Sequence, residues 1–526
     1  MPDKKGRCGA IVPFVPSIPV NTESRMTDNT GPVADLRDWL ARVERIGELQ
    51  RIDASVDARE EMSAITYLLA KTETSPAVLF DTDAKPYGFR HLWNLFGPSV
   101  ARTAITLEED PGTPTLELIR RTKDKLRVAI DPSEGLAAEA PLYQNSLYGA
   151  DIDLSKLPIP QHWPRDGGRY AGTADAVITR DLESGYLNVG TYRMMIQGPR
   201  QVALSLAPGK DALRHIQQAW ARGEALPVAA AWGVDPLLMV AGSQSLPPGV
   251  SEYGFAGGIK GRAIDVVRAT QSDLLLPAAA EIVMEGLIHP GATKEEGPFG
   301  EFTGYYGTKD IDCPLIEVTA LHFRHRPILT NALMADYPSN EQSAFFSTIR
   351  SAKIWADLDK LGIQGIKGVY AHPAAAGAFA LVVISLEQRY AGHAAQALSL
   401  AAQVPGGAYV TKWIIVVDDD VDPTDMDQVL WAMGTRSNPA DDIDILRNTR
   451  GSPLDPSQNP PEKRLYGSKA LINACKDYRH LKTFPRRTLL RESVYQQVAE
   501  RWRELGLPGE PALVERFDAV DGEGEA

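Results

Sequence analysis

Apolar side chains recur every three or four positions just after the N-terminal tail, and this spacing predicts a helix over residues 33–46. Gly47 follows the last apolar position and is typical of a helix end. A short apolar run predicts a buried strand at residues 76–80, and a second amphipathic pattern predicts a helix at residues 114–126. Helices and strands therefore mix, which predicts a small α/β domain over residues 31–140.

The pattern changes to strand-like runs in the middle of the chain. Residues 140–170 are rich in Pro, Gly and Asp, which predicts a loop that leads from one domain to the next. The predicted strands that follow are residues 175–179, 187–195 and 237–241, and one helix is predicted at residues 210–222. A strand-rich segment of this length is typical of a barrel or a sandwich, so we predict a second domain over residues 141–335.

Strand and helix patterns alternate strictly in the last third of the chain. The predicted elements are helices at residues 341–358, 393–403 and 426–433, and strands at residues 379–384 and 413–417. This alternation predicts a parallel or mixed sheet covered by helices, in a third domain over residues 336–500. Residues 448–463 are rich in Pro, Ser and Asp and predict a loop.

The sequence predicts a tail at each end of the chain. Prolines interrupt the apolar positions of residues 1–30, which predicts a disordered segment and makes Met26 a candidate start residue. The C-terminal segment, residues 501–526, ends in an acidic run that predicts a frayed tail.

Charge and cysteine content narrow the classes of function. The 526-residue chain has a formal net charge of -13, which argues against a nucleic-acid binder because phosphate contacts need a basic surface. Its three cysteines show no paired spacing, so a cytoplasmic protein without a disulfide framework is expected. No apolar run approaches the length of a membrane span, so no membrane partner is expected.

A first candidate site lies in the run from Asn188 to Arg193. An amide oxygen suits a hard cation, and the planar guanidinium of arginine suits a carboxylate. Side chains five apart on a strand point in opposite directions, so Asn188 and Arg193 share a site only if Gly190 introduces a bulge or if they contact two sides of one ligand. An arginine on an exposed strand is the plainer alternative.

A second candidate site is the acidic run from Glu295 to Glu301. Gly297, Pro298 and Gly300 predict a turn that brings the carboxylates of Glu296 and Glu301 together. Two close carboxylates do not both ionise freely, and a carboxyl that keeps its proton is a candidate general acid. An arginine between them would hold one as an ionic partner. A solvated acidic turn is the alternative.

A third run, residues 243–252, combines hydroxyls, a Pro-Gly turn and Glu252, which suits a phosphate with its bridging cation. A plain loop is the alternative. The nearby glycines match neither the phosphate-loop nor the dinucleotide-binding fingerprint. His322 and His325 lack a surrounding ligand set and are interpreted as structural histidines.

These runs, taken in order, resemble the UbiD family of decarboxylases. Three further segments carry the resemblance, at residues 277–286 (PAAAEIVMEG), 417–422 (VDDDVD) and 431–436 (WAMGTR), and it extends over about residues 33–480. The family implies an α/β (α+β) fold with a central split β-barrel that binds a flavin. An N-terminal α/β region and a C-terminal α/β domain that mediates self-association flank the barrel. A homodimer or larger homo-oligomer is therefore expected.

The resemblance also implies a reaction and its cofactors. It implies the reversible, non-oxidative decarboxylation of an aromatic, heteroaromatic or α,β-unsaturated acid. The implied cofactor is prenylated FMN, supplied by a separate flavin prenyltransferase, together with Mn²⁺ or another divalent cation and K⁺. The family pattern makes Arg193 the carboxylate-binding residue, Glu296 its ionic partner and Glu301 the proton donor. Glu295 is expected to be a bystander.

The remaining site residues follow from the same match. The implied cofactor-binding residues are Asn188, Gly190, Thr191, Tyr192, Arg193, Ser243, Gln244 and Glu252. The implied metal ligands are Asn188, Glu252 and a third residue, usually histidine, whose position aligns with Asp211; His215 lies one turn further on. Phe299 and, by its place early in the predicted helix, Phe346 are candidate walls of a substrate pocket for a flat ring.

The sequence does not exclude two other functions. An ordinary FMN-dependent reductase on a split barrel would need no set of one arginine and two glutamates. A non-catalytic or assembly subunit of a larger carboxylase would tolerate the departure at Asp211.

Overall fold

The computed structural model describes residues 31–246, 249–307, 309–458, 466–514 and 516–518. The tail predicted at residues 1–30 lies outside these ranges, as do residues 459–463 of the predicted loop and the acidic end, residues 519–526. The described residues from Val33 onwards belong to one compact unit.

The helices are α1 (Leu36–Arg45), α2 (Glu61–Ala70), α3 (Val100–Thr106), α4 (Thr115–Lys125), α5 (Asp211–Ala221), α6 (Pro236–Gly242), α7 (Glu252–Lys260), α8 (Ser343–Lys360), α9 (His393–Ala401), α10 (Pro405–Ala408), α11 (Met426–Arg436), α12 (Pro439–Asp442) and α13 (Glu492–Glu500). The strands are β1 (Leu49–Ile52), β2 (Ala77–Ala84), β3 (Phe89–Trp93), β4 (Ser133–Glu134), β5 (Asn145–Tyr148), β6 (Tyr170–Gly172), β7 (Asp175–Arg180), β8 (Leu187–Gly190), β9 (Met194–Gly198), β10 (Gln201–Leu204), β11 (Leu226–Trp232), β12 (Asp265–Arg268), β13 (Leu275–Pro277), β14 (Ile282–Glu296), β15 (Asp310–Phe323), β16 (Ile328–Asn331), β17 (Ile366–Ala371), β18 (Leu381–Leu386), β19 (Trp413–Asp418), β20 (Ile443–Arg450) and β21 (Tyr466–Ala474).

The N-terminal part is a mixed four-stranded sheet in the order β1-β2-β3-β16. Helix α1 packs its buried side chains Leu36, Trp39, Leu40 and Val43 against it, as the sequence spacing predicts. Strand β16 comes from the far end of the predicted middle domain and pairs in parallel with β3. The chain therefore returns to its N-terminal sheet after the barrel, which ties these two parts together.

The middle of the chain is a nine-stranded antiparallel sheet that curls into a half-barrel, and a small β13-β12-β4 sheet lies beside it. Strands β14 and β15 are its longest members, and their pairing shifts register three times, which increases local twist. The inside of the barrel is filled by apolar side chains, and helix α5 adds Ala212, Ile216 and Ala219 to this core. The predicted fold class, with its central barrel, is confirmed.

The C-terminal part is a five-stranded mixed sheet in the order β17-β18-β19-β21-β20. Strands β18 and β19 are apolar runs that are buried almost throughout, as parallel strands covered on both faces must be. Helix α8 packs between this sheet and helix α4 of the N-terminal part. The predicted alternation of strand and helix is therefore confirmed in this region.

One predicted strand is wrong. Residues 237–241 belong to helix α6, whose N-cap Asp235 accepts a hydrogen bond from the Leu237 amide at 2.9 Å. Every residue of α6 is buried, so no polar face marks the helical period, and an apolar run of this length is ambiguous from sequence alone. Pro236 at its first position is the signal that favours the helix.

The strand predicted at residues 187–195 is broken in two. Strand β8 ends at Gly190 and β9 begins at Met194, so Thr191, Tyr192 and Arg193 lie between them. The amide of Thr191 donates to the carbonyl of Gly242 at 3.1 Å, and the amide of Tyr192 donates to a carboxylate oxygen of Asp175 at 3.1 Å. Because Arg193 lies between the two strands, the direction of its side chain is not set by the alternation of a continuous strand.

No helix in the described part of the chain is both long and apolar enough to span a membrane.

Candidate active site

Arg193 is held by Glu296 at the end of strand β14. Its Nε and Nη2 donate to the two carboxylate oxygens of Glu296, both at 2.9 Å, which is the bidentate geometry of a strong ion pair. The Glu296 side chain is fully buried, and Oε1 also accepts a hydrogen bond from the Tyr170 hydroxyl at 2.7 Å. The pairing fixes the plane of the guanidinium group.

Glu301 reaches the same guanidinium from the turn that follows β14. Its Oε1 accepts a hydrogen bond from Nη1 of Arg193. The turn is closed by the Glu301 amide, which donates to the Tyr305 carbonyl at 2.9 Å, and by the Gly304 amide, which donates back to the Glu301 carbonyl at 2.9 Å. The turn thus brings both glutamates to one arginine, as the sequence predicts.

Glu295 takes no part in this arrangement. Its side chain is about half exposed and pairs with Lys309 at 2.5 Å on the surface. This surface position agrees with the expectation that Glu295 takes no part in the reaction.

A loop from the predicted domain connection supports the turn. Asp166 accepts hydrogen bonds from the amides of His162, Trp163 and Gly300, at 3.2, 2.8 and 3.1 Å. A Cβ atom at Gly300 would overlap the Trp163 indole, so this close approach requires glycine. Burial raises the pKa of Asp166 to about 6, against the lowering effect of these amides and of the Arg193 charge.

Sequence reasoning missed Asp166 and Tyr170, because both lie in a segment read only as a linker. The available signal was the group of His162, Trp163 and Asp166 within a Pro- and Gly-rich loop. Loops that carry such side chains next to a rigid scaffold are frequent sites of function.

Phe299 lies behind the guanidinium rather than at an open surface. It is 2% exposed, and its ring centroid lies 5.3 Å from the guanidinium carbon of Arg193 and 4.4 Å from the Tyr170 ring. Phe346 is also buried and packs against Phe379, with ring centroids 4.4 Å apart.

A cavity of about 360 Å³ opens onto Glu301. Its lining includes the aromatic side chains Tyr67, Trp163, Tyr305 and Tyr306, together with Met334. Phe299 and Phe346 are not among the described residues that line it. In this structure the flat walls beside Glu301 are therefore supplied by tyrosine and tryptophan, and the roles suggested for Phe299 and Phe346 stay predictions.

The burial of His162, whose ring centroid lies 5.5 Å from that of Phe299, makes the stability of the folded protein depend on pH. Neither of its ring nitrogens has a hydrogen-bond partner among the described residues, and burial lowers its pKa from the ordinary 6.5 to about 3. Below pH 6.5 the unfolded chain takes up a proton on this ring and the folded chain does not. His162 therefore contributes stability that is present above pH 6.5 and is lost as the pH falls towards 3.

His162→Leu is accordingly expected to flatten the decline of the melting temperature between pH 6.5 and about 4. His480→Leu, at an exposed histidine, is the matched control and is expected to keep the wild-type slope. Differential scanning fluorimetry across this pH range measures both. Equal slopes in the wild type and the His162 variant would contradict the assignment.

The predicted cofactor residues gather where strand β8 ends beside helices α6 and α7. Glu252 is the first residue of α7, and its Oε2 accepts a hydrogen bond from the Val189 amide at 2.8 Å. Gly242 approaches the same strand so closely that a Cβ atom there would lie 3.3 Å from the Val189 carbonyl oxygen and from Oγ1 of Thr191. The loop after α6 follows, where Nε2 of Gln244 donates to the hydroxyl of Ser243 at 2.9 Å.

Asn188 and Glu252 have the chemistry of a hard-cation site. Glu252 is buried, and burial, together with the charge of Asp211, raises its pKa to about 7. Asn188 is 3% exposed, and its amide nitrogen has no hydrogen-bond partner among the described residues. A divalent cation would offset the repulsion between the carboxylates and use the amide oxygen of Asn188, so these residues fit the implied metal.

Asp211 and His215 differ in where they point. Asp211, at the start of α5, is about half exposed and accepts a hydrogen bond from Nη2 of Arg214 at 3.0 Å. His215 is fully buried, and its Nδ1 lies 2.9 Å from the hydroxyl of Thr179 on β7. The charge of Asp211 is one of the causes that raise the pKa of Glu252.

No group of three or more His, Cys, Asp or Glu side chains that could hold a metal ion occurs in the described ranges. A metal at this position therefore depends on the mixed set of one amide and two carboxylates.

Three models of one family match successive parts of this chain. They describe 3-octaprenyl-4-hydroxybenzoate carboxy-lyase: its N-terminal domain matches residues 40–122, its Rift-related domain residues 136–337 and its C-terminal domain residues 343–474. Together they span the N-terminal sheet, the half-barrel and the C-terminal sheet.

Individual proteins are similar over nearly their whole length. A phenolic acid decarboxylase of Bacillus subtilis (strain 168) is 32% identical over 439 residues, which are 81% of this chain and 89% of the relative. The vanillic acid decarboxylase of Sedimentibacter hydroxybenzoicus, in a closed form, is 29% identical, with 90% of this chain and 98% of that chain covered and a TM-score of 0.78.

A further solved relative is the UbiD-class enzyme HmfF from Pelotomaculum thermopropionicum in complex with FMN. It is 27% identical, with 86% of this chain and 97% of that chain covered and a TM-score of 0.76. An evolved dimeric form of HmfF, in complex with prFMN, is 27% identical, with coverages of 87% and 97% and a TM-score of 0.74.

Proposed function

This chain belongs to the UbiD family and is a carboxy-lyase, and we propose that it decarboxylates an aromatic carboxylic acid reversibly and without oxidation, with prenylated FMN as cofactor. The observation that carries the proposal is that Arg193 joins the buried Glu296 to Glu301, which faces an open cavity. Phenolic and vanillic acid decarboxylases among its relatives support an aromatic substrate.

The two glutamates have different environments, which supports different roles. Glu296 is fully buried, and both its oxygens are engaged by Arg193, so it acts as the fixed ionic partner. Glu301 has a single bond to Arg193 and lines the cavity, so it is the carboxyl that can exchange a proton with a bound molecule. Glu301 is the proton donor to the carbon that loses the carboxyl group.

Arg193 keeps hydrogen-bonding capacity for a substrate. A guanidinium carries five N–H groups, and three of them are used by the two glutamates. The remaining two, on Nη1 and Nη2, bind the substrate carboxylate. Because Glu296 fixes the guanidinium plane, the acid is oriented before reaction.

Asn188, Gly190, Thr191, Tyr192, Ser243, Gln244 and Glu252 would hold the cofactor at the end of β8. When bound, prenylated FMN supplies an electrophilic carbon that accepts the electrons released as carbon dioxide leaves. Binding of the modified flavin by HmfF, a relative of the same class, supports this choice. A flavin prenyltransferase would supply the cofactor, and K⁺ would accompany the divalent cation near the flavin phosphate.

Asp211 replaces the family's usual histidine as the third metal ligand. Asp211→Ala is expected to lower the manganese affinity of the purified protein by about tenfold or more, because one of two charged ligands is removed. Asp265→Ala, at an exposed carboxylate, is the control. Metal titration followed by elemental analysis measures both. Unchanged manganese affinity in Asp211→Ala would show that Asp211 is not a ligand.

The cavity beside Glu301 suits a flat substrate. Tyr67 and Trp163 meet edge to face with centroids 5.8 Å apart, and Tyr306 is held in place by the Arg165 amide, which donates to its hydroxyl at 3.3 Å. Aromatic walls with a few polar tips are typical of sites for phenolic rings.

Coexpression with a flavin prenyltransferase, followed by a panel of aromatic acids and measurement of carbon dioxide release, tests the function. Release from at least one hydroxybenzoate or cinnamate-like acid is the expected result. Oxidation of reduced nicotinamide without carbon dioxide release would favour an FMN reductase. Loaded protein that releases carbon dioxide from no acid would favour an assembly subunit.

Self-association into a homodimer or larger oligomer stays a prediction from the family.

A further inference from the structure

Asp175, the first residue of strand β7, contacts the break between strands β8 and β9 that carries Arg193. One of its carboxyl oxygens, Oδ1, accepts a hydrogen bond from the amide of Tyr192 at 3.1 Å. The backbone carbonyl of the same residue accepts a hydrogen bond from the hydroxyl of Thr191 at 3.2 Å. A single residue therefore holds the two positions of the break that directly precede Arg193.

Two contacts with strand β16 and the residue that follows it fix the chain just before Asp175. The hydroxyl of Thr330 donates to the carbonyl of Ala174 at 2.6 Å. The amide of Ala332 donates to the hydroxyl of Thr173 at 2.9 Å. Strand β16 is paired with the N-terminal sheet, so this part of β7 is held by a sheet outside the half-barrel. The residue that holds the break is therefore itself anchored, as a positioning role requires.

The Asp175 side chain acts at the break as a hydrogen-bond acceptor rather than as a counter-charge. It is 0% exposed, and its second carboxyl oxygen, Oδ2, has no hydrogen-bond partner among the described residues. Gly172 lies directly against this oxygen, because a Cβ atom there would overlap it. Burial raises the pKa of the carboxyl group well above its ordinary value, which favours its neutral form. An asparagine at this position would keep the oxygen that accepts from Tyr192.

We propose that Asp175 is a positioning residue for the decarboxylation, because it holds the two residues before Arg193 and so sets the direction in which that side chain enters the site. Glu296 fixes the guanidinium end of the Arg193 side chain, and Asp175 fixes the backbone from which that side chain starts. With both ends held, the N–H groups that remain on Arg193 keep one direction towards a substrate carboxylate. The inference rests on the proposed function, in which Arg193 binds that carboxylate, and adds the residue that orients it.

Comparison of benzoate with its neutral amide, benzamide, tests the inference. Full-length protein loaded with unmodified FMN is used, so that no acid is consumed, and isothermal titration calorimetry measures both affinities. The wild type is expected to prefer benzoate, because only the carboxylate forms an ion pair with Arg193. Asp175→Ala is expected to weaken benzoate binding by about tenfold and to leave benzamide binding unchanged. Asp175→Asn keeps the acceptor and is expected to retain the wild-type affinity for benzoate.

A second measurement and a control variant separate positioning from general stability. Hydrogen exchange in the peptide of residues 187–195 is expected to be faster at the Tyr192 amide in Asp175→Ala and to stay near the wild-type rate in Asp175→Asn. Val228→Ala is the control, since Val228 is a buried core residue on strand β11, which pairs with β7. This variant is expected to lower the melting temperature and to keep the preference for benzoate.

The inference is overturned if the preference for benzoate survives in Asp175→Ala, or if exchange at the Tyr192 amide is unchanged there. Equal loss of affinity for both ligands that Asp175→Asn does not restore also overturns it, since that outcome marks a purely structural role. A wild type that binds both ligands equally would contradict the proposed role of Arg193, and the inference would fall with it. A preference that is present in the wild type and kept in Asp175→Ala leaves the proposed function intact and removes only the role of Asp175.

Discussion

Glu301→Gln is expected to lower kcat for decarboxylation by about 10²- to 10⁴-fold in cofactor-loaded protein, which is the usual contribution of a positioned general acid. The amide has the size of the carboxyl group and can keep a bond to Arg193, but it cannot release a proton to carbon. Because Glu301 lies at the cavity, cofactor loading and the melting temperature are expected to change little. Absorbance of the loaded flavin and steady-state kinetics measure these effects.

Glu295→Gln is the matched control for Glu301→Gln. Glu295 belongs to the same acidic run but pairs with Lys309 at the surface, so its variant is expected to keep wild-type kcat. If Glu301→Gln retains kcat within a few-fold of the wild type, Glu301 is not the proton donor.

Arg193→Met is expected to remove activity and also to destabilise the fold by about 3–5 kcal/mol, the cost of leaving a buried ion-pair partner uncompensated. The partner left behind is Glu296, which is fully buried and would keep, among the described residues, only the Tyr170 hydroxyl as a side-chain donor. Chemical denaturation followed by circular dichroism measures the stability. Carbon dioxide release from the loaded protein measures the activity.

The double variant Arg193→Met/Glu296→Gln separates the two effects. Removing the buried charge is expected to restore much of the lost stability, while activity stays absent because the carboxylate-binding residue is missing. Arg120→Met, which breaks a surface pair with Glu117, is the control and is expected to change stability little. A double variant that is no more stable than Arg193→Met would contradict the buried-charge explanation.

The acidic run shows how far sequence reasoning reaches. The Gly-Pro turn after Glu296 was enough to predict that Glu296 and Glu301 lie close, and the structure confirms it through their shared bonds to Arg193. Strand periodicity alone placed Arg193 away from Asn188. The structure instead breaks this strand at Thr191–Arg193, where the backbone bonds to Gly242 and Asp175 from other parts of the chain.

Two other features are only weakly marked in the sequence. Helix α6 is buried on every side, so it lacks the polar face that distinguishes a helix from a strand. Asp166 organises the turn at Gly300 although more than a hundred residues separate the two.

The most direct test of the central claim is decarboxylation in D₂O by cofactor-loaded protein, with carbon dioxide and product measured together. Proton donation through Glu301 predicts equal amounts of carbon dioxide and product, and a single deuterium at the carbon that carried the carboxyl group. Product without solvent deuterium at that carbon, or oxidised product in place of the hydrogen-bearing one, would contradict the account.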